Sequence, residues 1–334
     1  MLTSRQLVYQ TLEFRAPARV PRDLWTLPWA RIHYPEAYEE LFRRFPPDLT
    51  GCYVTGYTSP VQGDPYELGI YVDEWGSIFY NNQRGVIGEV KEAAIATWED
   101  LPKLRIPWER LEFDADAANA FCRSSEKFVM AGCCPRPFER LQFLRTSAQL
   151  FIDLAEQPTE LFELLHTVHE FYLKEMELWA KTEVDGLSFM DDWGAQRRLL
   201  ISPGAWRKIF KPLYKDYIDL AHAYGKKIFM HSDGYIQDII PDLVELGLDA
   251  LNSQLFCMDI EAIGRRFRGQ ITFWGEIDRQ YLLSFGTTAE VEAAVRRVYE
   301  NLYQDGGCIA QCEFSAGSKP ENVFKVYETW EALI

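Results

Sequence analysis

The sequence predicts an α/β fold: one (β/α)8 TIM barrel spanning residues 1–334, with a hairpin insertion at about residues 50–95 in its N-terminal third. Three observations predict it. From about residue 125 onward, short β-forming runs alternate with long amphipathic helical patterns, and strict alternation requires a parallel sheet with right-handed crossovers. Several of those runs end in polar or ligand-type side chains, as expected where the loops after parallel strands carry the chemistry. Hydrophobic residues make up 47% of 334 and aromatics 14%, enough for a large core and too much for a disordered chain.

Residues 3–13 read as an opening helix, Asp23-Leu-Trp-Thr-Leu as a first strand and residues 34–44 as the next helix. Inside the insertion, Tyr71-Val-Asp-Glu-Trp-Gly76-Ser-Ile-Phe-Tyr80, followed by Asn81-Asn82, reads as a hairpin in which Trp75 packs. Six further strands are expected at 127–132, 186–191, 227–231, 249–252, 271–275 and 308–312. Helical patterns fall at 146–180, 203–224, 235–246, 258–267, 287–304 and from 320. Ser202-Pro203 supplies an N-cap followed by proline at the first helical position, and Gly225 ends that helix. After Thr287-Thr-Ala-Glu290, Val291, Ala294, Val295 and Val298 form an apolar stripe at helical spacing. Six strands plus one or two from the N-terminal third favour a closed barrel over an open sheet.

A formal net charge of −15 argues against nucleic acid or an anionic membrane as the main partner. No apolar stretch approaches the roughly 18 residues of a membrane span. The opening Met1-Leu-Thr-Ser-Arg-Gln has no signal-peptide core, and seven cysteines follow no disulfide framework, so a cytoplasmic protein is expected. An exposed helix face is compatible with a homodimer.

Chemistry concentrates at the strand ends. His231 and Asp233 have alternate spacing, so both side chains point to one side of a strand end. With Cys312 they supply nitrogen, oxygen and sulfur, a set soft enough to favour zinc. Each also has a structural alternative: a hydrogen-bonded histidine, a helix-capping aspartate and a small buried hydrophobe. Cys308, four residues before Cys312, belongs to the core at the far end of the barrel. Of the consecutive pair Asp191-Asp192 only one carboxylate can face a pocket, and Asp191 is taken as that one. Asp191 and Glu276 are the candidate catalytic carboxylates, while the amides Asn252 and Gln254 are candidates for binding a cofactor or orienting a substrate. Arg136 follows a strand, where it either meets an anionic group or is solvated at the surface, the commoner fate of arginine, and His166 and His169 read as solvated helix residues. Neither a glycine-rich phosphate loop nor a nucleophile elbow occurs.

These motifs also carry a resemblance. Thr3-Ser-Arg-Gln-Leu-Val, Val20-Pro21, Phe189-Met-Asp-Asp-Trp-Gly194, Ile201-Ser-Pro203 and Lys211-Pro212 form the first part of an ordered set. His231-Ser-Asp-Gly234, Gly275-Glu-Ile-Asp278, Gly286-Thr287 and Pro320-Glu-Asn322 complete it. Over nearly its whole length the chain resembles the uroporphyrinogen decarboxylase superfamily, (β/α)8 barrels that include cobalamin- and coenzyme M-linked methyltransferases. The porphyrinogen-gripping segment Arg-Gln-Ala-Gly-Arg of the decarboxylases is replaced by Asp23-Leu-Trp-Thr-Leu-Pro-Trp-Ala-Arg31. Without those arginines, and at this net charge, an eight-carboxylate tetrapyrrole is a poor substrate.

The methyltransferase branch carries a His-x-Cys pair and a distant cysteine as zinc ligands. The resemblance implies His231 and Cys312 in two of these positions, with Asp233 in the third. It thus implies a zinc-dependent methyltransferase exchanging a methyl group between a small thiol, methoxy or methylamine compound and a corrinoid (cobalamin). An Asp-x-His-x-x-Gly cobalamin motif is missing, so the corrinoid is expected on a partner protein. The alternatives are a metal-free decarboxylase or lyase for a non-porphyrin acid, using Asp191 or Asp192 with Arg136, and a barrel that binds a small molecule without turnover.

Overall fold

The computed structural model of the chain describes residues 2–54 and 58–334. Thr3 and Gln6 form a reciprocal capping box that starts the helix Ser4–Leu12. Val8 and Leu12 of this helix pack against Leu49, Phe128, Phe229, Ala250 and Ile309, all in the barrel interior. The opening helix therefore plugs one end of the barrel and leaves the other end for the site.

The strands, in chain order, are β1 (Arg22–Thr26), β2 (Leu49–Gly51), β3 (Gly69–Val72), β4 (Ile78–Asn81), β5 (Glu89–Glu92), β6 (Phe128–Met130), β7 (Gly186–Met190), β8 (Lys227–Ser232), β9 (Ala250–Ser253), β10 (Thr272–Trp274) and β11 (Cys308–Phe314). Eight of them form the parallel sheet β1-β11-β10-β9-β8-β7-β6-β2. The seam between β1 and β2 is bridged at one point. The Asp48 N–H donates to the Arg22 carbonyl and the Arg22 N–H to the Asp48 carboxylate, each at 2.7 Å. Alternation then sorts the side chains. Phe229, Ala250, Trp274 and Ile309 face the interior, while Leu187, Phe189, Met230, Leu251, Phe273 and Ala310 face the surrounding helices.

Helix boundaries differ from the sequence expectation where proline intervenes. The stretch 146–180 is two helices, Ser147–Glu156 and Thr159–Ala180, separated by a left-handed Gln157 and by Pro158, which has no N–H to continue the ladder. Likewise 203–224 divides into Pro203–Ile209 and Lys211–Ala223, with Pro212 in the first turn of the second. The helix expected from 235 begins only at Ile240.

The insertion is a three-stranded antiparallel meander, β3-β4-β5. Its first turn is built by Asp73, whose carboxylate accepts the N–H groups of Trp75 (3.0 Å) and Ser77 (2.7 Å). Asp73 also pairs with the buried Arg140, whose guanidinium lies over the fully buried Trp75 ring. The ion pair and the indole thus anchor the insertion to the barrel. Among the described residues no helix is long and apolar enough to cross a membrane.

Candidate functional site

Parallel register sets Met190, His231 and Asn252 side by side on β7, β8 and β9. One residue beyond β7 stands Asp191 and two beyond it Asp192, and pleating sends them to opposite faces. Asp192 enters the mouth of the barrel. Asp191 lies behind the sheet, fully buried, accepting hydrogen bonds from the Glu139 N–H (2.8 Å) and the Tyr214 hydroxyl (2.7 Å). It shares its face with Leu187 and Phe189, so the expectation that Asp191 is the pocket carboxylate is corrected to Asp192.

His231 is held from behind. Asn252 donates its amide N–H to the Trp274 carbonyl, which turns Oδ1 toward His231 Nδ1 at 2.6 Å. An amide oxygen only accepts, so Nδ1 carries the hydrogen and Nε2 faces the mouth. There Nε2 lies 3.5 Å from Asp192 Oδ1 and 3.5 Å from Asp233 Oδ1. One donor atom from each of the three residues falls within 4.8 Å of the others. Burial alone would favour neutral imidazole, but the two carboxylates outweigh it and hold the His231 pKa up at about 9.

The loops that carry these groups interlock. Gly234 has φ +74°, and a Cβ there would lie 2.1 Å from the Gly194 carbonyl oxygen. Only glycine lets the His231-Ser-Asp-Gly234 and Asp191-Asp-Trp-Gly194 turns approach this closely. Gln254 reinforces the contact by accepting the Gly234 N–H at 3.1 Å. Asn252 and Gln254 are therefore spent on holding His231 and its loop, a supporting geometry that the sequence did not distinguish from direct binding.

Arg279 organises the second layer. It pairs with Asp233 Oδ2, with Glu313 at 2.9 Å and with Glu276 at 3.4 Å. The other Asp233 oxygen, Oδ1, is buried without a hydrogen-bond partner. Glu276 follows β10 and is 2% exposed, and neither of its carboxylate oxygens is hydrogen-bonded. Burial pushes its pKa up to about 8, with Arg279 opposing the rise. Gly275, at φ +71°, makes this placement feasible, since a Cβ there would meet Gln311 Oε1 at 2.2 Å. Glu276, Arg279 and Gln254 line a cavity of about 160 Å3.

Cys312 stands apart from this group. It pairs with Leu24 across β1 and faces the helix Pro320–Leu333, where its thiol lies 3.7 Å from the Tyr327 hydroxyl. Its neighbours Gln311 and Glu313 take the opposite face. Cys312 is fully buried and its thiol is pushed up to about 12 by that burial. The expected His231–Asp233–Cys312 set is thus corrected: Asp192 completes the cluster and the cysteine does not reach it. Cys308 is buried on the same outward face, as a core residue.

One other expectation changes. His169 is buried rather than solvated, bonded to Tyr217 and Asp216 at 3.0 Å each, whereas His166 is exposed beside Glu170. Arg136 sits 3.8 Å from Glu139, whose pKa burial raises to about 7. Sequence reasoning missed Arg279 and Glu313, although Arg279 follows the Gly275-Glu-Ile-Asp278 motif directly.

On the β1 side the mouth opens into a cavity of about 520 Å3 lined by Asp23, Trp25, Tyr53, Cys134, Ser188 and Trp274 among others. It adjoins the cluster, because the Trp25 ring lies 5.1 Å from the His231 ring.

The family model described as uroporphyrinogen decarboxylase (URO-D) matches residues 79–333. The solved structure of a methyltransferase from Methanosarcina mazei superposes with a TM-score of 0.65 at 13% identity, covering 100% of this chain and 99% of that one. At that identity the likeness shows a shared fold. A 3-keto-D-glucoside 4-epimerase from E. coli aligns over 74% of this chain and 97% of its own, at 13% identity and a TM-score of 0.39. No curated protein sequence matches the chain. The family match extends over well more than half of the residues and includes every member of the Asp192–His231–Asp233 cluster, and the chain belongs to the uroporphyrinogen decarboxylase family.

Proposed function

We propose that the protein is a zinc-dependent methyltransferase that exchanges a methyl group between a small methoxy, methylamine or thiol compound and a corrinoid carried by a separate protein. The convergence of Asp192, His231 and Asp233 on one point of the barrel mouth carries this reading. The donor set fits a divalent cation. Asp233 Oδ1 is buried without a partner, and Nε2 of His231 has two carboxylates at 3.5 Å. Cys312 being out of reach, the ion would be held without thiolate, a set that donates less charge and leaves it a stronger Lewis acid.

When bound, zinc would polarise the heteroatom that bears the methyl group. The chain's own residues do the rest. Asn252 keeps Nε2 of His231 directed into the mouth, and Arg279 holds the second oxygen of Asp233 so that the first stays free. Glu276, protonated at neutral pH, is the proton donor. With a methoxy substrate, the methyl–oxygen bond breaks, the methyl group leaves to the acceptor and the electron pair stays on oxygen. The Glu276 proton then converts that oxygen to a hydroxyl. The exposed Leu68, Ile70 and Ile87 give the insertion an apolar outer face, which supports docking of the corrinoid protein there.

Metal content tests the proposal. Wild-type protein offered zinc under reducing conditions is expected to hold about one ion per chain, lost in His231→Ala and retained in Cys312→Ala. Methyl release from a panel of methoxy and methylamine compounds to a corrinoid protein should follow the metal. A wild type that takes up no zinc would sink the mechanism and favour metal-free decarboxylation of a non-porphyrin acid.

A further inference from the structure

The cavity on the β1 side has a composition of its own. Among the described residues that line it, Asp23 is the one that is charged, and none is Lys, Arg or His. Asp23 Oδ2 accepts two indole N–H groups, from Trp25 at 2.8 Å and from Trp274 at 2.9 Å. Among the described residues no cation lies within ion-pair distance of this carboxylate, unlike Asp233, Glu276 and Glu313 across the mouth. The two indoles meet edge to face, with ring centroids 5.1 Å apart. Tyr53 and Phe42 add further aromatic surface to the wall.

A half-buried carboxylate without a paired cation gains from one, and aromatic faces attract cations whose charge is diffuse and weakly hydrated. A carboxylate set among tryptophans in a cavity without its own cation thus matches an organic ammonium group. Anions are disfavoured by Asp23, and a neutral apolar ligand would leave the carboxylate uncompensated.

We infer that this cavity binds the ammonium end of the substrate, so that the methyl donor or acceptor is a small organic cation. Its ammonium group lies against Asp23, Trp25 and Trp274, and its methyl-bearing heteroatom extends past Trp25 to the His231 cluster. The inference deepens the proposed function and rests on it for the word substrate; the cation site itself rests on the cavity. Burial raises the Asp23 pKa, and a bound cation would lower it again, so binding is expected to release protons in the pH range where Asp23 titrates.

Calorimetric titration of the full chain with choline and with 3,3-dimethyl-1-butanol, its neutral carbon isostere, decides the matter without a corrinoid partner. Choline is expected to bind about tenfold or more tightly than the isostere. Asp23→Asn should erase that preference and leave isostere binding unchanged, with a thermal melt confirming that the variant is folded. Equal binding of the two ligands by wild type, or no binding of choline, would overturn the inference whatever the variant does. Absence of choline binding in a protein that holds zinc and demethylates a neutral ether removes the cation site alone. Choline binding in a protein that takes no zinc removes the methyltransferase reading and leaves the cation site standing.

Discussion

The two halves of the barrel mouth bury charge in opposite ways. Beside β8 and β10, Asp233, Glu276 and Glu313 surround Arg279, and Asp192 sits against His231. Beside β1, the Asp23 carboxylate is held by two indoles, and among the described residues no cation lies within ion-pair distance of it. In the first half the protein sets its carboxylates against its own cations, and among the described residues Asp233 Oδ1 and both Glu276 carboxylate oxygens stay without a hydrogen-bond partner, the atoms that the proposed chemistry uses. In the second it leaves the neutralisation to a ligand. Preorganised charge suits reaction, and an uncompensated charge in an aromatic wall suits recognition.

Glu276→Gln separates the halves most sharply. Removing a positioned proton donor is expected to lower kcat about 10^2- to 10^4-fold, with choline binding unchanged. The pH profile gives the sign. The Glu276 pKa is raised to about 8, so the protonated donor predominates below that pH and is lost above it. Wild-type kcat should therefore fall as pH rises through about 8, and the variant should lack that limb. A profile with the same limb in the variant would assign the titration elsewhere.

The adjacent carboxylates Asp191 and Asp192 sharpen the comparison further. Asp192→Asn should weaken zinc binding at least about 100-fold, by analogy with the large effects of disturbing a metal site, and leave the melting temperature nearly unchanged. Asp191→Asn should do the reverse. It keeps the metal but sets an amide where Glu139 N–H and Tyr214 both donate, at a cost of about 1–3 kcal/mol in unfolding free energy. Metal titration and denaturant unfolding of the two variants check both outcomes.

That pair also marks the limit of what the sequence discloses. The barrel was legible because β-forming runs and amphipathic helices alternate over most of the chain, and the strand ends found by that alternation do gather at one mouth. The meander was legible at its first turn, where Asp73 and Gly76 leave a local signature, and its third strand was not, since Glu89–Glu92 is short and mostly exposed. Site membership depends on something finer, the parity of each residue within its strand. Asp191 and Asp192 are chemically identical in sequence, and one residue of pleat decides between a helix-facing hydrogen bond and the pocket. Arg279 was hidden because a guanidinium that pairs with three separated carboxylates has no sequence spacing to betray it. In the sequence Asp23 marks the start of the first strand and a segment without the arginines, and its role as a carboxylate is hidden because it depends on Trp274, 251 residues away.

Parity accounts for Cys312 as well, and yields the smallest effect. Counted by motif order, it takes the place of the distant cysteine ligand; counted along β11, it falls on the outward face with Cys308, Ala310 and Phe314. A cysteine there acts as a small apolar side chain filling space beside Tyr327. Cys312→Ala should accordingly leave zinc content, choline binding and kcat unchanged and lower stability by about 1 kcal/mol, the scale of deleting one well-packed atom. Denaturant unfolding with parallel metal analysis measures both quantities. Loss of zinc without loss of stability would return the thiol to the metal and require β11 to be turned by one residue. That rotation would also withdraw Glu313 from Arg279 and leave the guanidinium under-neutralised, so the Cys312 side chain and the Arg279 ion-pair cluster stand or fall together.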